Sequence, residues 1–415
     1  MAEFESGART FRDVVCGFCG LGCDDLTVEV EGRAVRAAAG TCPEAGRLFA
    51  RPDADAAPPR VSGEVTNLAS ACSLGGALLA ASRAPLFAGL GTDIDGGRAV
   101  LDLAARTGGV LDHAGSTTLF RNYASVQRTG WLSTTLAEVR NRCDLLLVVG
   151  DDPTAAFGRL FERLYPQAPL FAGTRRVVFL GGAPGGRAKA QLAGVEITVL
   201  PATDPAEALA ALVGLTAGRT QAGRFGGVAA DDLAALALAL KAAAYAVVSW
   251  NAGELAEGDL VAERATALVD ALNATTRAGV FPLGGRDNII GINQLLLWRL
   301  GYPLRTAIRG GISEHDPILF EAGAAARDAD LLVWVSAFRP EPPPAFDGPV
   351  IVLGHPDTEF ETTPDVFIPV GTPGIDHAGT VFRMDSIVSL PLGALRVATL
   401  PSVAEAVRRM AGEVA

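Results

Sequence analysis

Leu145-Leu146-Leu147-Val148-Val149-Gly150 is an unbroken apolar run closed by a glycine. A strand with one face in water alternates apolar and polar side chains. A strand with no polar position is expected to be covered on both faces, as in parallel sheets flanked by helices. Outward from this run the theme recurs at residues 84–89, 177–180, 197–200, 246–249, 331–336 and 350–353. Helical patterns lie between these runs, over residues 68–82, 97–107, 206–215 and 231–244. The alternation predicts α/β architecture with open, mostly parallel, doubly wound sheets.

The opening of the chain reads differently. Leu26-Thr27-Val28-Glu29-Val30-Glu31 alternates as a half-buried strand does, Glu31-Gly32 turns it, and Ala34-Val35-Arg36-Ala37 can return beside it. Residues 51–60 are rich in Pro, Asp and Ala and read as a linker. The Pro cluster over 339–344 reads as an exposed connector. No heptad or fixed period persists in the Ala-rich helices, which argues against a coiled coil or a repeat array.

At 415 residues the chain exceeds what one core usually organises, and 49% hydrophobic with 20% charged residues marks a folded protein. A net charge of -11 repels a phosphate backbone, so nucleic acid is not the expected partner. Met1-Ala2-Glu3-Phe4-Glu5 lacks the basic start and apolar run of a signal peptide, and no stretch is long and apolar enough to predict a membrane span. The expected compartment is the cytoplasm, where clustered cysteines favour metal over disulfides.

Cys16, Cys19, Cys23 and Cys42 form C-x2-C-x3-C-x18-C, with Gly17, Gly20 and Gly22 among them. A tight glycine-bearing loop can turn three thiolates toward one point, and the fourth arrives from beyond the hairpin. The short spacing suits an iron–sulfur cluster better than structural zinc, which favours paired knuckles. Cys72, in a helix, and Cys143, before a buried strand, read as small core residues. His113, His315, His355 and His377 show no zinc-protease spacing and read as surface or capping residues. Asp376-His377 and Glu314-His315-Asp316 read as turns. Gly89-Leu90-Gly91 and residues 181–186 read as strand-to-helix connections, since neither continues as a dinucleotide fingerprint or a P-loop.

The segment from Val15 to Asp25 closely resembles the opening of the B subunit of formylmethanofuran dehydrogenase, a relative of tungsten- and molybdenum-pterin formate dehydrogenases. Thr41-Cys42-Pro43-Glu44-Ala45-Gly46 is similar to that family's Asn-Ala-Cys-x-Leu-Gly, which carries the fourth cluster ligand. The likeness continues through residues 135–145, through Pro282 to Gln294, through Trp298 to Pro303, and through Gly379-Thr380-Val381-Phe382-Arg383-Met384-Asp385. The resemblance implies three domains: a small four-Cys β domain at 1–60, an α/β domain at 61–112 and 285–415, and an inserted α/β domain at 113–284. It also implies that the family's fourth, β-barrel domain resides in a separate subunit.

The departures decide the expected function. Where the family has Cys-His-Gly-Pro, whose Cys or selenocysteine binds tungsten or molybdenum, this chain has residues 116–127, with no Cys and no His. Hydroxyl and amide groups do not replace a soft thiolate. Asp152-Pro153 and then Phe157-Gly158-Arg159-Leu160 replace the family's Asn-Pro and His-Pro-Arg-His. The Gly-Met-Gly of a pterin-binding turn is here Trp250-Asn251-Ala252-Gly253-Glu254, and Gly284-Gly285-Arg286-Asp287 replaces Arg-Gly-His-Tyr. A carboxylate at that turn repels an anionic pyrophosphate. No tungsten- or molybdenum-pterin and no catalytic residues are therefore expected.

The resemblance then implies a scaffold subunit of a formyltransferase/hydrolase complex. Such a complex moves a formyl group from tetrahydromethanopterin to a furan carrier and hydrolyses it to formate. The implied partners are a formyltransferase subunit, an amidohydrolase-like subunit and a further small β-rich subunit. The rival expectations are an active pterin-dependent formylmethanofuran dehydrogenase with a different ligand, and a small-molecule binding module in the vacated cleft. At the four cysteines, ancestry favours [4Fe-4S]. Without a pterin the cluster has no electron donor, which favours zinc.

Overall fold

The computed structural model describes residues 8–52, 57–166 and 168–414. The pentapeptide Met1 to Glu5 and positions 53–56 of the expected linker lie outside the described residues. The chain divides into two compact units, Met1–Ser116 with Gly285–Ala415, and Thr117–Gly284. The four-Cys segment is part of the first unit.

The first unit opens with an antiparallel sheet of β1 (Arg9–Val14), β2 (Leu26–Glu31) and β3 (Ala34–Ala39). The alternation in β2 has the expected effect: Leu26, Val28 and Val30 are buried, and Val30 pairs with Val35 across the turn. Helix α1 (Pro43–Phe49) follows, with Pro at its first position where no N–H is needed.

A nine-stranded sheet forms the body of this unit. Its centre is parallel and runs in the order Gly109–Leu111, Pro85–Gly91, Leu331–Ser336, Val350–Gly354 and Val366–Pro369. The margins are antiparallel: Thr306–Arg309 and Ile312–His315 on one side, Arg60–Val61 and Glu64–Val65 on the other. Every residue of Pro85–Gly91 and of Leu331–Ser336 is buried, as helix-covered parallel strands require. The helix Ile94–Thr107 starts where the Asp93 side chain accepts the Gly96 N–H and stops at Gly108, whose φ of 70° a residue with a Cβ resists.

The second unit carries a five-stranded, all-parallel sheet in the order Glu196–Leu200, Arg176–Gly181, Leu145–Gly150, Ala246–Trp250 and Ala278–Pro282. Leu145–Gly150 lies at its centre, buried along its whole length. The helices Pro205–Thr216, Ala230–Ala242 and Gly258–Leu272 pack on this sheet through Leu209, Leu212, Leu233, Leu240 and Leu268. Among the described residues no helix is long and apolar enough to cross a membrane.

Three sequence expectations are corrected. His113 and His355 are not surface residues; they are 3% and 2% exposed, because both follow the buried ends of parallel strands. Glu314 and His315 belong to the marginal strand Ile312–His315, not to a turn. Arg339 is not part of a solvated connector: its guanidinium is drawn in by the carboxylates of Asp287 and Glu44.

Candidate functional site

The loop between β1 and β2 carries the first three cysteines. It is closed at its base by the Cys16 N–H donating to the Cys23 carbonyl at 2.8 Å. Gly20 and Gly22 take φ of 85° and 61°, the left-handed bends that aim neighbouring side chains to one side. A Cβ on Gly20 would lie 2.7 Å from the Gly285 backbone, so the two segments touch only because both are glycine. Cys42 caps α1, its Sγ accepting the Ala45 N–H at 3.4 Å. Cys16 and Cys23 are buried, and Cys19 and Cys42 are half-buried.

Burial pushes the Cys16 thiol well up, and the Cys19, Cys23 and Cys42 thiols push it further. Burial likewise raises Cys19, to about 12, with Cys23 and Cys42 adding to it. The four sulfurs therefore share one neighbourhood. Among the described residues, however, no set of three or more His, Cys, Asp or Glu side chains is arranged to hold a metal ion. Burial thus disfavours the thiolate at Cys16 and Cys19; a bound cation would reverse that preference and release the protons.

The loop is docked by main-chain bonds. Phe18 O accepts the Asp287 N–H at 2.9 Å, and Gly20 O accepts the Met384 N–H at 2.8 Å. Arg339 clamps the same place: Nη2 donates to Phe18 O at 3.3 Å, Nη1 to Glu44 at 2.7 Å, and Nε to both oxygens of Asp287 at 2.8 Å. Asp287 and Asn288 hold φ of 53° and 63° there, uncommon for side-chain-bearing residues and tolerated best by Asn and Asp. Sequence reasoning missed Arg339, whose prolines suggested solvent.

In the second unit the turn after Ala246–Trp250 is closed by the chain's own side chains. Trp250 is fully buried, and its Nε1–H donates to Asn122 Oδ1 at 2.9 Å. Its ring meets that of Trp131 edge to face at 6.2 Å. Arg121 Nη1 donates to the carbonyls of Ala252 and Leu255 at 2.7 and 2.8 Å, which commits the turn's acceptors. Thr118 Oγ1 lies 2.2 Å from where a Cβ on Gly253 would be. Thr118, Arg121 and Asn122 all come from the helix Ser116–Thr129, the stretch that lacks Cys and His. Arg121 is a second residue that sequence reasoning missed; nothing in its spacing marks it.

The remaining candidates have structural partners. Cys72 and Cys143 are 3% and 0% exposed, and Cys143 lies 3.5 Å from the Tyr165 hydroxyl. His113 Nδ1 accepts the Gly115 N–H at 2.9 Å, so Nε2 carries the proton and donates to Asp287 O at 3.2 Å. Burial pushes the His113 ring down to about 4 and the adjacent Asp112 up to about 6. Asp112 accepts from Ser116 Oγ at 3.0 Å and the Ala322 N–H at 2.8 Å, with Arg305 3.8 Å away.

No family model matches the chain. It is 30% identical to the B subunit of the formyltransferase/hydrolase complex of Methylorubrum extorquens over 333 residues, 78% of this chain and 87% of that protein. It is 24% identical over 404 residues to the B subunit of the tungsten-containing formylmethanofuran dehydrogenase 2 of Methanocaldococcus jannaschii, covering 91% of this chain and 92% of that one. The crystal structure of the Methylorubrum extorquens complex with methylofuran contains a chain that matches this fold with a TM-score of 0.75 and 26% identity, over 86% of this chain and 98% of that one. A mixed α/β chain that opens on this cysteine loop and matches those proteins along most of their length belongs to the family of the B subunits of formylmethanofuran dehydrogenase and of the formyltransferase/hydrolase complex.

Proposed function

We propose that the chain is a non-catalytic scaffold subunit of a formyltransferase/hydrolase complex, cytoplasmic, and partnered by a formyltransferase, an amidohydrolase-like and a small β-rich subunit. The observation that carries this reading is the closed turn of the second unit. A tungsten-pterin of the kind the resemblance implies needs a soft thiolate for the metal and a small-residue turn for its phosphates. Residues 112–142 hold no thiol, and at the turn an indole is buried while Arg121 is bonded to the carbonyls. The residues present do not fit that cofactor. The layout of a unit inserted within another unit's sequence, as in pterin-dependent formate dehydrogenases, supports a retained architecture with altered chemistry.

Cys16, Cys19, Cys23 and Cys42 would hold one metal centre, zinc or [4Fe-4S]. The electrostatic influence of Cys23 and Cys42 on both Cys16 and Cys19 and the glycine bends of the loop support this reading. When bound, the group cross-links the loop to α1. The chain's own contribution is Arg339, which pairs with Glu44 and Asp287 beside the loop and fixes the Phe18 carbonyl.

Metal analysis of the complex purified anaerobically with its partner subunits tests both statements. The expected result is one zinc or one iron–sulfur cluster per chain, no tungsten or molybdenum, and formyl transfer and hydrolysis intact. Stoichiometric tungsten or molybdenum would overturn the scaffold reading, and a complex devoid of zinc and iron would overturn the cysteine site.

A further inference from the structure

The nine-stranded sheet of the first unit has two margins, and they are built differently. An open edge presents unpaired main-chain groups on which another strand can form; short length, lysine, proline or a bulge guards against this. Glu64–Val65 closes one margin with two residues, too few to template a neighbour. Ile312–His315 closes the other with four, and no strand lies beyond it among the described residues. It pairs with Thr306–Arg309 in an unbroken register, so no bulge turns it away, and neither Lys nor Pro stands within it.

The phase of the ladder shows which groups face outward. The Asp316 N–H donates to the Arg305 carbonyl at 3.3 Å. Thr306 and His315 are therefore a non-bonded pair, and Ala307 with Glu314 and Arg309 with Ile312 exchange the inner hydrogen bonds. Ser313 points its N–H and C=O to the open side, where neither has a main-chain partner among the described residues.

The side chains around this edge are apolar and held outward. Ile312, Ile318 and Leu319 are 67%, 76% and 64% exposed. Asp316 Oδ1 accepts the N–H groups of Ile318 and Leu319, each at 2.8 Å, which fixes the turn that presents them. Tyr302, 42% exposed, stacks on His315 at 6.1 Å. Glu314 is exposed and has no ion pair among the described residues.

Main-chain groups on an open edge pair with another main chain, and the apolar side chains beside them gain by being covered. A second copy of this chain fits poorly. Paired antiparallel about Glu314 it sets two carboxylates face to face, and paired about Ser313 it sets Ile312 against Glu314. A strand with a cation opposite Glu314 avoids both clashes. We infer that Ile312–His315 is extended by a β-strand of a partner subunit, one that carries a lysine or arginine opposite Glu314 and apolar side chains against Ile312, Ile318 and Leu319. The inference rests on the reading of the chain as a subunit of a complex and names a surface by which it is held.

The test uses the complex purified with its partner subunits. In the unaltered complex the Ser313 amide should exchange at least about a hundredfold more slowly than in an unstructured peptide. Ser313→Pro removes the outward N–H and spares the inner ladder, and Glu314→Lys turns attraction into repulsion. Each should raise the dissociation constant of the complex, read by mass photometry on dilution, at least about tenfold, and both should release the same subunit. Glu64→Lys at the opposite margin should change it by less than about twofold. A Ser313 amide that exchanges freely in the intact complex, or a complex that both variants leave intact, would overturn the inference while the scaffold reading stands. Release of a second copy of this chain rather than of a different subunit would overturn it too. An unaltered chain that assembles with no partner subunit would overturn both. Exchange on the unaltered complex decides the matter if the variants fail to fold.

Discussion

Replacing Trp250 by alanine should open the second unit locally at a cost that can be worked from its contacts. The indole is fully buried, packs edge to face on Trp131 and donates to Asn122 Oδ1 at 2.9 Å. Truncating such a side chain costs about 3–5 kcal/mol. Stranding the buried Asn122 oxygen adds about 1–3 kcal/mol. The combined loss, about 4–8 kcal/mol, rivals the whole stability of an ordinary domain. Trp250→Phe keeps part of the packing but strands the Asn122 oxygen, so a loss of at least about 1–3 kcal/mol, short of that of the alanine variant, is expected. Hydrogen exchange of peptides covering Ala246–Trp250 and Gly258–Leu272, measured on the intact protein, reads these values as opening free energies. Free indole should refill the cavity of the alanine variant; at 100 times its dissociation constant it returns about 2.7 kcal/mol. An alanine variant whose exchange protection falls by less than about 1.5 kcal/mol, with no response to indole, would refute the claim that the indole closes this turn.

Other consequences concern the first unit and the turn's second clamp. As pH falls from 6.5 toward 4, the unfolded chain takes up a proton that buried His113 refuses, so stability drops by about 1.4 kcal/mol per pH unit. Asp112, raised to about 6 by burial, keeps in that range a proton the unfolded chain has released, so its slope is opposite. Asp112→Asn removes the opposing slope, and its melting temperature should decline more steeply between pH 6 and 4 than that of the unaltered chain; parallel curves would count against the pair. Gly20→Ala forces a Cβ against Gly285 at 2.7 Å from a φ of 85°, and should speed metal loss to a chelator more than tenfold. Arg121→Met releases the carbonyls of Ala252 and Leu255 and should cost about 1.5–3 kcal/mol in the local exchange of the turn, well short of the Trp250→Ala effect.

The legible parts of the sequence were those where burial dictates composition. Leu145–Gly150 could be placed from its apolar run because both faces of its sheet are covered. Alternation placed β2 because one of its faces alone is buried. The cysteine loop was legible because thiols and glycines at short spacing have few other uses. Polar residues buried by tertiary contact were not legible. Arg339 lies in a proline-rich stretch that looks solvated, and its carboxylate partners are 295 and 52 residues away in sequence. His113 and His355 gave no periodic signal, since each is the first or second residue past a strand and is buried by what folds over the strand end. Arg121 shows the same limit, because its acceptors are carbonyls 131 and 134 residues on.

The two regions that carry the functional argument differ in what their removal would break, and this difference can be measured. Phe18, between Cys16 and Cys19, is 2% exposed and packs edge to face on Phe49 at 5.3 Å and on Phe338 at 6.2 Å. The cysteine loop is thus part of the first unit's core, and a metal joining Cys23 to Cys42, as proposed, would close a chain segment whose entropy is worth about 3 kcal/mol by analogy with a disulfide. The helix Ser116–Thr129 is held through Asn122 on Trp250 and Ser125 on Thr266, contacts that need no thiolate. A ligand position on that helix can therefore change while the helix stands, whereas on the proposed metal site the loop would loosen what surrounds it if it lost its sulfurs. With the proposed metal in place, treating the intact complex with a chelator should raise hydrogen exchange in peptides covering β1, β2, α1 and Leu331–Ser336 and leave Leu145–Gly150 and Ala246–Trp250 unchanged. Exchange that rises equally in both units, or in neither, would mean the four cysteines do not brace the first unit.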